Sequence, residues 1–339
     1  MRTQRLSGSD PADIARAAEL LQRGGLVAVP TETVYGLAAN ALNVQAVRRI
    51  FAAKGRPQDN PLIVHVAKQE QLTELAEMTP RALRLAQAFW PGPLTLVLPR
   101  KSVVPDKVSG GLDTVAVRMP AHPVMREVIV QSGVPLAAPS ANRSGGPSPT
   151  TAAHVLADLD GKIDAVLDGG ACALGVESTV VDVSAEQPVL LRPGSITEEQ
   201  LAEVLRPIKT ARAVLEPPEQ GARVASPGMK YQHYAPKTQL VLIRSDLAAF
   251  AAFVNARAGQ GVGALCFSGE EEALAVPALS YGSVDDALEQ ARALFGALRG
   301  LDALGCKVVY ARSPQETGVG LAVYNRLLRA AGFEVLELA

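Results

Sequence analysis

Apolar and polar positions along this chain repeat with two different spacings. Residues 10–23 and 44–54 have apolar side chains every three or four positions, which predicts amphipathic helices. Thr197 and Gln200 form a capping box that predicts a further helix through residue 205. Shorter apolar runs bounded by Gly and Pro predict strands. In this first part of the chain they cover residues 26–29, 61–66, 94–98, 114–119, 134–138, 165–167, 178–183 and 189–191.

After Thr238 strands and helices alternate regularly. Predicted strands at 240–243, 262–267, 307–311 and 333–338 are separated by predicted helices at 247–258, 284–299 and 321–330. This order is typical of a parallel sheet with crossover helices, although no G-x-G-x-x-G follows a strand to indicate a dinucleotide site. We predict an α/β protein with a larger sheet domain over residues 1–206, a Pro-rich linker over 207–237, and a smaller Rossmann-like domain over 238–339.

Composition narrows the classes of function. The net charge of −1 argues against a surface that binds nucleic acid through its overall field. Cys172, Cys266 and Cys306 lie far apart and are interpreted as small buried apolar residues, and the four histidines lack H-E-x-x-H pairing, so we expect no protein-bound transition metal. No apolar run reaches the roughly 20 residues needed to cross a bilayer. The polar N-terminus lacks a signal peptide's apolar stretch, so we expect a cytoplasmic protein.

Polar side chains gather where predicted strands end, at four corners. The first, residues 30–37, reads Pro-Thr-Glu-Thr-Val-Tyr-Gly-Leu, and either binds a small polar ligand or begins a helix with Thr as N-cap. The second joins Lys54 and Arg56, at a helix end, with Asn60 and His65. Fixed cations there suit a multiply charged anion. The alternative is a basic helix end that interacts with the helix dipole, with His65 a structural strand residue.

The other two corners are also ambiguous on their own. Thr114 and Arg118 share one face of a predicted, half-exposed strand and point either into a cleft or into a surface ion pair. The loop over residues 138–148, Ala-Pro-Ser-Ala-Asn-Arg-Ser-Gly-Gly-Pro-Ser, is either a backbone nest for phosphate oxygens or an ordinary surface loop. Ser178 and Arg192, at the ends of later strands, would complete the same cleft. No Walker A loop is present.

Taken together, these motifs resemble the YrdC-domain family, the threonylcarbamoyl-AMP synthases. The 30–37 segment is one of them. The second domain resembles the long, two-domain branch of that family, and the resemblance covers nearly the whole chain. It implies a YrdC-like twisted mixed sheet with an open cleft. The remaining motifs that carry it are Lys54-x-Arg56-Pro57-x-x-Asn60-Pro61-Leu62, Ser140-x-Asn142 and Met229-Lys230-Tyr231-x-His233-Tyr234.

The resemblance implies an ATP-dependent nucleotidyltransferase. L-threonine, bicarbonate or CO₂, and ATP carrying Mg²⁺ would give threonylcarbamoyl-AMP and pyrophosphate. A partner transferase complex would pass the group to tRNA as N6-threonylcarbamoyladenosine, with tRNA an indirect partner. The implied L-threonine side comprises Thr33, His65, Arg118, Ala138 and Ser178. The implied ATP side comprises Lys54, Arg56, Asn60, Thr114, Ser140, Asn142, Ser148, Arg192 and Tyr231, the last on a linker expected to cover the cleft as a lid.

Two other functions fit part of the sequence. An RNA-binding module with a basic cleft is the first, but nucleic-acid grooves interleave bases with aromatic side chains, and only 4% of this chain is aromatic. A carbamoyl-phosphate-using hydrogenase maturation factor would share the YrdC domain, but it would also need zinc-finger and acylphosphatase segments. The proposed chemistry needs no protein nucleophile, so the absence of a Ser-His-Asp or Cys-His signature agrees with the synthase.

Overall fold

A computed structural model describes residues 2–217 and 233–338 of the chain. Within these residues the backbone forms a mixed sheet of eleven strands and a parallel sheet of five, which confirms the predicted α/β class. Tyr231 and most of the predicted lid motif lie outside the described residues. In the two described stretches, no helix has both the length and the apolar character needed to cross a bilayer.

The larger sheet has the order β1-β8-β2-β3-β7-β4-β6-β5-β9-β10-β11, so strands distant in sequence lie side by side. Its strands are β1 (Gln4–Ser7), β2 (Val27–Val29), β3 (Gly36–Asn40), β4 (Ile63–His65), β5 (Leu94–Pro99), β6 (Thr114–Arg118), β7 (Leu136–Ala137), β8 (Ala165–Asp168), β9 (Thr179–Asp182), β10 (Val189–Arg192) and β11 (Lys209–Thr210).

Capping interactions set the ends of several helices. The side chain of Asp10 accepts from the N–H of Ala12 at the start of α1, and α8 begins with the predicted capping box. α2 ends at Gly55, whose φ of 63° is left-handed and favours glycine. The helices of this region are α1 (Pro11–Gln22), α2 (Val44–Lys54), α3 (Gln69–Leu75), α4 (Pro80–Phe89), α5 (Asp106–Ser109), α6 (Pro123–Ser132), α7 (Ala152–Leu159) and α8 (Glu198–Val204), with a 3₁₀ turn at Arg212–Val214.

The second sheet has the order β14-β13-β15-β12-β16 and is parallel throughout, as the alternating pattern predicted. Its elements are β12 (Gln239–Arg244), α9 (Leu247–Asn255), β13 (Val262–Cys266), β14 (Ala278–Ser280), α10 (Ala287–Gly300), β15 (Val308–Arg312), α11 (Gly318–Ala330) and β16 (Val335–Glu337), with 3₁₀ turns at Glu270–Ala273 and Leu301–Leu304.

The two regions share one apolar cluster. Val34 and Val176 from the first region, together with Tyr234, pack against buried side chains of α10 and α11. Gly175 approaches α10 so closely that a Cβ there would lie 2.3 Å from the carbonyl oxygen of Ala291. The first region is therefore seated directly on the helices of the second.

Three expectations from the sequence need correction. The helix start that was one alternative for the residues after Pro30 does not form: a turn leads into β3, because residues 36–40 pair with β2 and β7. The strand ending at Arg118 is not half-exposed, since only Thr114 within it is partly accessible. Cys172 and Cys266 are buried as expected, but Cys306 is partly exposed.

Candidate active site

One pocket lies at the ends of the central strands of the larger sheet. β4 and β6 run parallel and end level with each other, at His65 and Arg118. Ala138 directly follows β7, and Ser178 directly precedes β9. The pocket is lined by these four residues and by Thr31, Thr33, Val34, Gly36, Arg56, Ile63, Pro139, Ser140, Asn142, Gly146, Ser148, Glu177, Arg192, His233 and Tyr234.

Arg118 is a buried cation held on three sides. Its Nη2 lies 2.7 Å from Oε1 of Glu32, its Nη1 donates to Oγ1 of Thr33 at 2.9 Å, and its Nε donates to the carbonyl of Gly92 at 3.2 Å. Burial raises the pKa of the Glu32 carboxyl, but Arg118 and backbone N–H groups, including that of Ala121, lower it below its ordinary value. The carboxylate therefore fixes the direction of the guanidinium.

The turn over residues 31–34 fixes the hydroxyl of Thr33. Oγ1 of Thr31 accepts from the N–H groups of Thr33 and Val34 and donates to the carbonyl of Val34 at 2.6 Å. Since the proton of the Thr31 hydroxyl is used there, the 2.8 Å contact between the two threonine hydroxyls has Thr33 as donor. Thr33 is thus locked between Thr31 and Arg118.

Arg192 and Ser178 form the opposite wall. Nε of Arg192 donates to the carbonyl of Ser178 at 3.0 Å, and its Nη2 donates to the hydroxyl of Ser178 at 3.2 Å. That hydroxyl also lies 2.8 Å from Oγ1 of Thr95, on β5. β5 pairs with both β6 and β9, so this strand connects the Arg118 wall to the Ser178 wall.

Lys54 holds the loop that closes the third side. Its ammonium donates to the carbonyl of Ser140 and, at 2.7 Å, to that of Asn142, while the hydroxyl of Ser140 donates to Oδ1 of Asn142 at 2.6 Å. Burial lowers the pKa of Lys54 well below its ordinary value, and neighbouring Arg56 adds to that shift. Lys54 therefore orders the loop and contributes to a positive field around it.

Glu177 connects the pocket to the second sheet's domain. The hydroxyl of Ser148 donates to Oε1 of Glu177, and Nε of Arg326, from α11, donates to Oε2 at 2.9 Å. Burial raises the pKa of Glu177, while Arg326 and then Arg192 lower it, with a net value below the ordinary one. A charged carboxylate thus stands among the cations of the pocket.

Some buried polar atoms at the site have no hydrogen-bond partner in the described part of the chain. They are both amide atoms of Asn60, Nδ1 of His65 and Nε2 of His233. Burial lowers the pKa of His65 to about 3, with Arg118 adding to the effect, and burial also lowers the pKa of His233 to about 3. Both imidazoles are therefore neutral at pH 7. Buried polar groups without partners are the groups that a ligand would satisfy.

The structure brings most of the predicted site residues together. Those that line the pocket are Thr33, His65, Arg118, Ala138, Ser178, Arg56, Ser140, Asn142, Ser148 and Arg192. Lys54, Asn60 and Thr114 are not among the lining residues: Lys54 holds the loop, Asn60 lies between α2 and β4, and Thr114 begins β6. Tyr231 lies outside the described residues. The ligand contacts assigned to all of these residues stay predictions.

Sequence reasoning did not select Glu177 and Arg326, and it gave Glu32 no specific role. A buried arginine needs a compensating carboxylate, and Glu32 lies close enough in sequence to a candidate corner to have been chosen on that ground. Glu177 and Arg326 are 149 residues apart, and no local pattern pairs them.

Comparison with family models divides the chain in two. Residues 19–194 match the Sua5_yciO_yrdC model, described as "Telomere recombination". Residues 196–332 match the model described as "Threonylcarbamoyl-AMP synthase, C-terminal domain". Together the two models cover all strands of both sheets except β1 and β16.

Full-length relatives and a solved structure agree with these matches. The threonylcarbamoyl-AMP synthase of Pyrococcus abyssi is 47% identical over 332 residues, covering 95% of each chain. That of Bacillus subtilis is 46% identical over 343 residues, covering 99% of this chain and 97% of its own. The crystal structure of P. abyssi Sua5 complexed with L-threonine superposes with a TM-score of 0.92 at 44% identity and covers 100% of both chains.

Replacing Glu32 by Gln should destabilise the protein, because Arg118 would stay buried beside a neutral amide. Removing one partner of a buried ion pair costs about 3–5 kcal/mol of unfolding free energy. Urea unfolding at neutral pH measures the change. Glu19→Gln is the matched control, since it breaks the exposed pair with Arg16 and should cost less than about 1 kcal/mol. Equal losses in the two variants would contradict the buried-pair assignment.

His65→Gln should make stability less sensitive to acid. The pKa of His65 falls from 6.5 to about 3 in the folded protein, so below pH 6.5 only the unfolded chain gains this proton. The contribution of a neutral His65 is fully present above pH 6.5 and is lost as the pH falls below it, by up to about 1.4 kcal/mol per pH unit. Urea unfolding across this range should give a steeper pH slope for the wild type, and identical slopes would refute the prediction.

Proposed function

This chain belongs to the threonylcarbamoyl-AMP synthase family, and from that premise we propose how its pocket performs the reaction. It is an ATP-dependent enzyme of tRNA modification that forms threonylcarbamoyl-AMP. The observation that supports the proposed geometry is the convergence of Arg56, Arg118 and Arg192, with several hydroxyls, on one pocket. Fixed cations around a shared space suit a reaction between two anions.

The L-threonine side is formed by Thr33, His65, Arg118, Ala138 and Ser178. The P. abyssi relative whose fold this chain shares was crystallised with L-threonine. In this assignment the guanidinium of Arg118 attracts the amino acid's carboxylate. Neutral His65 offers its free Nδ1 for a hydrogen bond without adding charge.

The ATP side is formed by Arg192 of the opposite wall, by Arg56 and by the loop that Lys54 holds. Ser140, Asn142, Ser148, Arg56 and Arg192 face the triphosphate or the nucleoside. Tyr231, which lies outside the described residues, is proposed from its sequence motif alone. Further proposed contacts come from residues that do not line the pocket: Lys54 through the field of its ammonium, Asn60 through its buried amide, and Thr114. Asn60 is the clearest of these, because its unpartnered amide offers both a donor and an acceptor to a ligand.

The reaction needs no covalent bond to the protein. Bicarbonate takes up a proton and loses water to give CO₂. The unprotonated amine of threonine attacks the carbon of CO₂ and releases a proton to solvent, which leaves a carbamate; the net change converts amine and bicarbonate into carbamate and water. A carbamate oxygen then attacks the α-phosphorus of ATP, the bond to the β-phosphate oxygen breaks, and pyrophosphate leaves. Two unit negative charges about 4 Å apart repel by about 4 kcal/mol at an effective dielectric near 20. The arginines of the pocket offset this repulsion, and binding both reactants side by side aligns them for attack.

A Mg²⁺ ion fits this pocket as a companion of ATP. Across residues 2–217 and 233–338, no group of three or more His, Cys, Asp or Glu side chains could hold a metal ion. Glu177 contributes a carboxylate to the lining, but Ser148 and Arg326 occupy it. These residues suit an ion held chiefly by phosphate oxygens and water, which is the usual mode for Mg²⁺ with ATP. When bound, Mg²⁺ would neutralise charge on the phosphates.

The product is a reactive mixed anhydride of a carbamate and a phosphate. It therefore has to be consumed by an enzyme that transfers the threonylcarbamoyl group, and we propose a tRNA-modifying transferase complex as that partner.

Pyrophosphate release tests the substrates directly. With purified protein, ATP and Mg²⁺, we expect pyrophosphate only when L-threonine and bicarbonate are both present, because the carbamate is the nucleophile. A coupled phosphate assay measures the rate. Serine in place of threonine is the matched control and should react more slowly, since it lacks the methyl group. Release that does not depend on threonine would reject the proposed reaction.

Replacing Arg118 by Lys should weaken the binding of L-threonine and leave the binding of ATP nearly unchanged. Lysine cannot contact Glu32, Thr33 and Gly92 at once, so the cation would lose its fixed direction. A hydrogen bond to a charged group contributes about 1.5–3 kcal/mol, so KM for threonine should rise about tenfold or more, with little change for ATP. Steady-state kinetics with each substrate varied gives both values. Arg100→Lys, outside the pocket, is the control, and an equal rise of both KM values would contradict the assignment.

A further inference from the structure

One arginine of the second domain bonds to two segments that adjoin the pocket of the first. Arg326, in α11, is 0% exposed. Its Nε donates to the carboxylate of Glu177 at 2.9 Å, its Nη2 donates to the carbonyl of the same residue at 3.3 Å, and its Nη1 donates to the carbonyl of Pro193 at 2.7 Å. These acceptors are adjacent in sequence to Ser178 and Arg192.

We propose that Arg326 is a positioning residue for the ATP side of the pocket, so that the second domain completes the active site. This inference rests on the function proposed above. Arg326 touches no proposed substrate position itself. It acts through Ser148, which is bonded to Glu177, and through Arg192, which directly precedes the acceptor Pro193.

The direction of the hydrogen bond between Ser148 and Glu177 determines which ligand groups Ser148 can bind. Its hydroxyl proton is donated to Glu177, so its oxygen is left with lone pairs only. An acceptor oxygen suits a hydroxyl or amino group of the nucleoside and not a phosphate oxygen. Glu177 keeps that orientation because Arg326 holds its other carboxylate oxygen.

Two further contacts hold segments next to Glu177 and Ser148 against the second domain. Gly175, with a φ of +78°, lies so close to α10 that a Cβ would come within 2.4 Å of the Cα of Arg292. Arg299, also in α10, donates to the carbonyl of Pro147, next to Ser148. By contrast, Arg118 on the threonine side bonds to Glu32, Thr33 and Gly92, which all belong to the first domain. The second domain therefore acts on one side of the pocket more than on the other.

The chemistry of arginine makes the proposal testable with a mild substitution. Three donors in a planar fork reach a carboxylate and two carbonyls at once, and a lysine ammonium cannot reproduce that geometry. Arg326→Lys keeps the charge opposite Glu177 but releases the backbone carbonyls. Misplacement of catalytic groups by about 1 Å can cost about 100-fold in rate, so we expect kcat/KM for ATP to fall by about that factor. KM for threonine should change less, because Ser178 is the one residue of the L-threonine side that adjoins an acceptor of Arg326.

Arg312→Lys is the matched control. Arg312 is also buried in the second domain, pairs with Glu270 through two nitrogens and donates to the carbonyl of Ser245, all within that domain. Arg312→Lys should destabilise the second domain about as much as Arg326→Lys does. Its kinetic constants for ATP should equal those of the wild type. Melting temperatures of both variants, measured alongside pyrophosphate release with each substrate varied, separate positioning from stability.

A fall in kcat/KM for ATP that occurs in Arg326→Lys and not in Arg312→Lys supports the proposal. Wild-type kinetics in that variant, equal losses for ATP and threonine, or the same loss in Arg312→Lys would overturn it. If Arg326→Lys does not fold, Glu177→Gln takes its place: it should show the same ATP-selective loss, and unchanged ATP kinetics would overturn the proposal. A wild-type protein without threonine-dependent pyrophosphate release would instead reject the proposed function. Calorimetric titration of ATP into Arg326→Lys and wild type would then test positioning separately, with equal affinities overturning it.

Discussion

The burial of cations around one space is the constraint on which this structure depends. Lys54, Arg118 and Arg192 are all nearly inaccessible, and removing a cation from water costs several kcal/mol even after relaxation. The protein offsets that cost in two ways. Carboxylates pair with some of the arginines, as Glu32 does with Arg118, and backbone carbonyls hold others, as they hold Lys54. Carbonyl oxygens carry only partial charge, so part of the positive field stays uncompensated. Burial is the main cause of the lowered pKa of Lys54 and the charge of Arg56 adds to it, so an anionic ligand would oppose only the contribution of the neighbouring cation.

The topology of the larger sheet explains how residues from distant parts of the chain meet at this field. Parallel strands β4 and β6 end at the same level, so His65 and Arg118 are neighbours although 53 residues separate their positions in the sequence. β5 then links β6 to β9: Thr95 is the strand partner of Arg118, and its hydroxyl contacts that of Ser178 on the other wall. The backbone at Gly36 also approaches Ala138 closely, and both residues line the pocket. A Cβ at Gly36 would lie 3.1 Å from that of Ala138.

Sequence reasoning reached those parts of the fold that local signals determine. The helix Val44–Lys54 and the capped helix that starts after Thr197 were predicted to within a residue, because apolar spacing and caps are local. β3 was missed because Gly-Leu-Ala-Ala-Asn has weak strand propensity, and its pairing with β2 and β7 decides its conformation instead. The pocket's cations and hydroxyls could be selected as strand-end residues. Sequence reasoning could not predict that Lys54 points toward carbonyl groups or that Glu177 pairs with Arg326, since both depend on long-range packing.

The same long-range packing joins the pocket, the connecting chain and the second domain. Tyr234 lines the pocket and adopts a φ of 65°, a left-handed conformation that costs a non-glycine residue about 1–2 kcal/mol. Its ring compensates by packing 5.3 Å from that of Phe295 in α10 and 5.8 Å from the guanidinium carbon of Arg326. The arginine that holds Glu177 therefore also supports the aromatic wall. A carbamoyl-phosphate anhydride is sensitive to water, and a wall built from both domains can exclude water only while the domains stay together. In the assignment proposed above, orientation of the ATP side and protection of the product both depend on this interface, which gives a physical reason for the second domain to accompany the first.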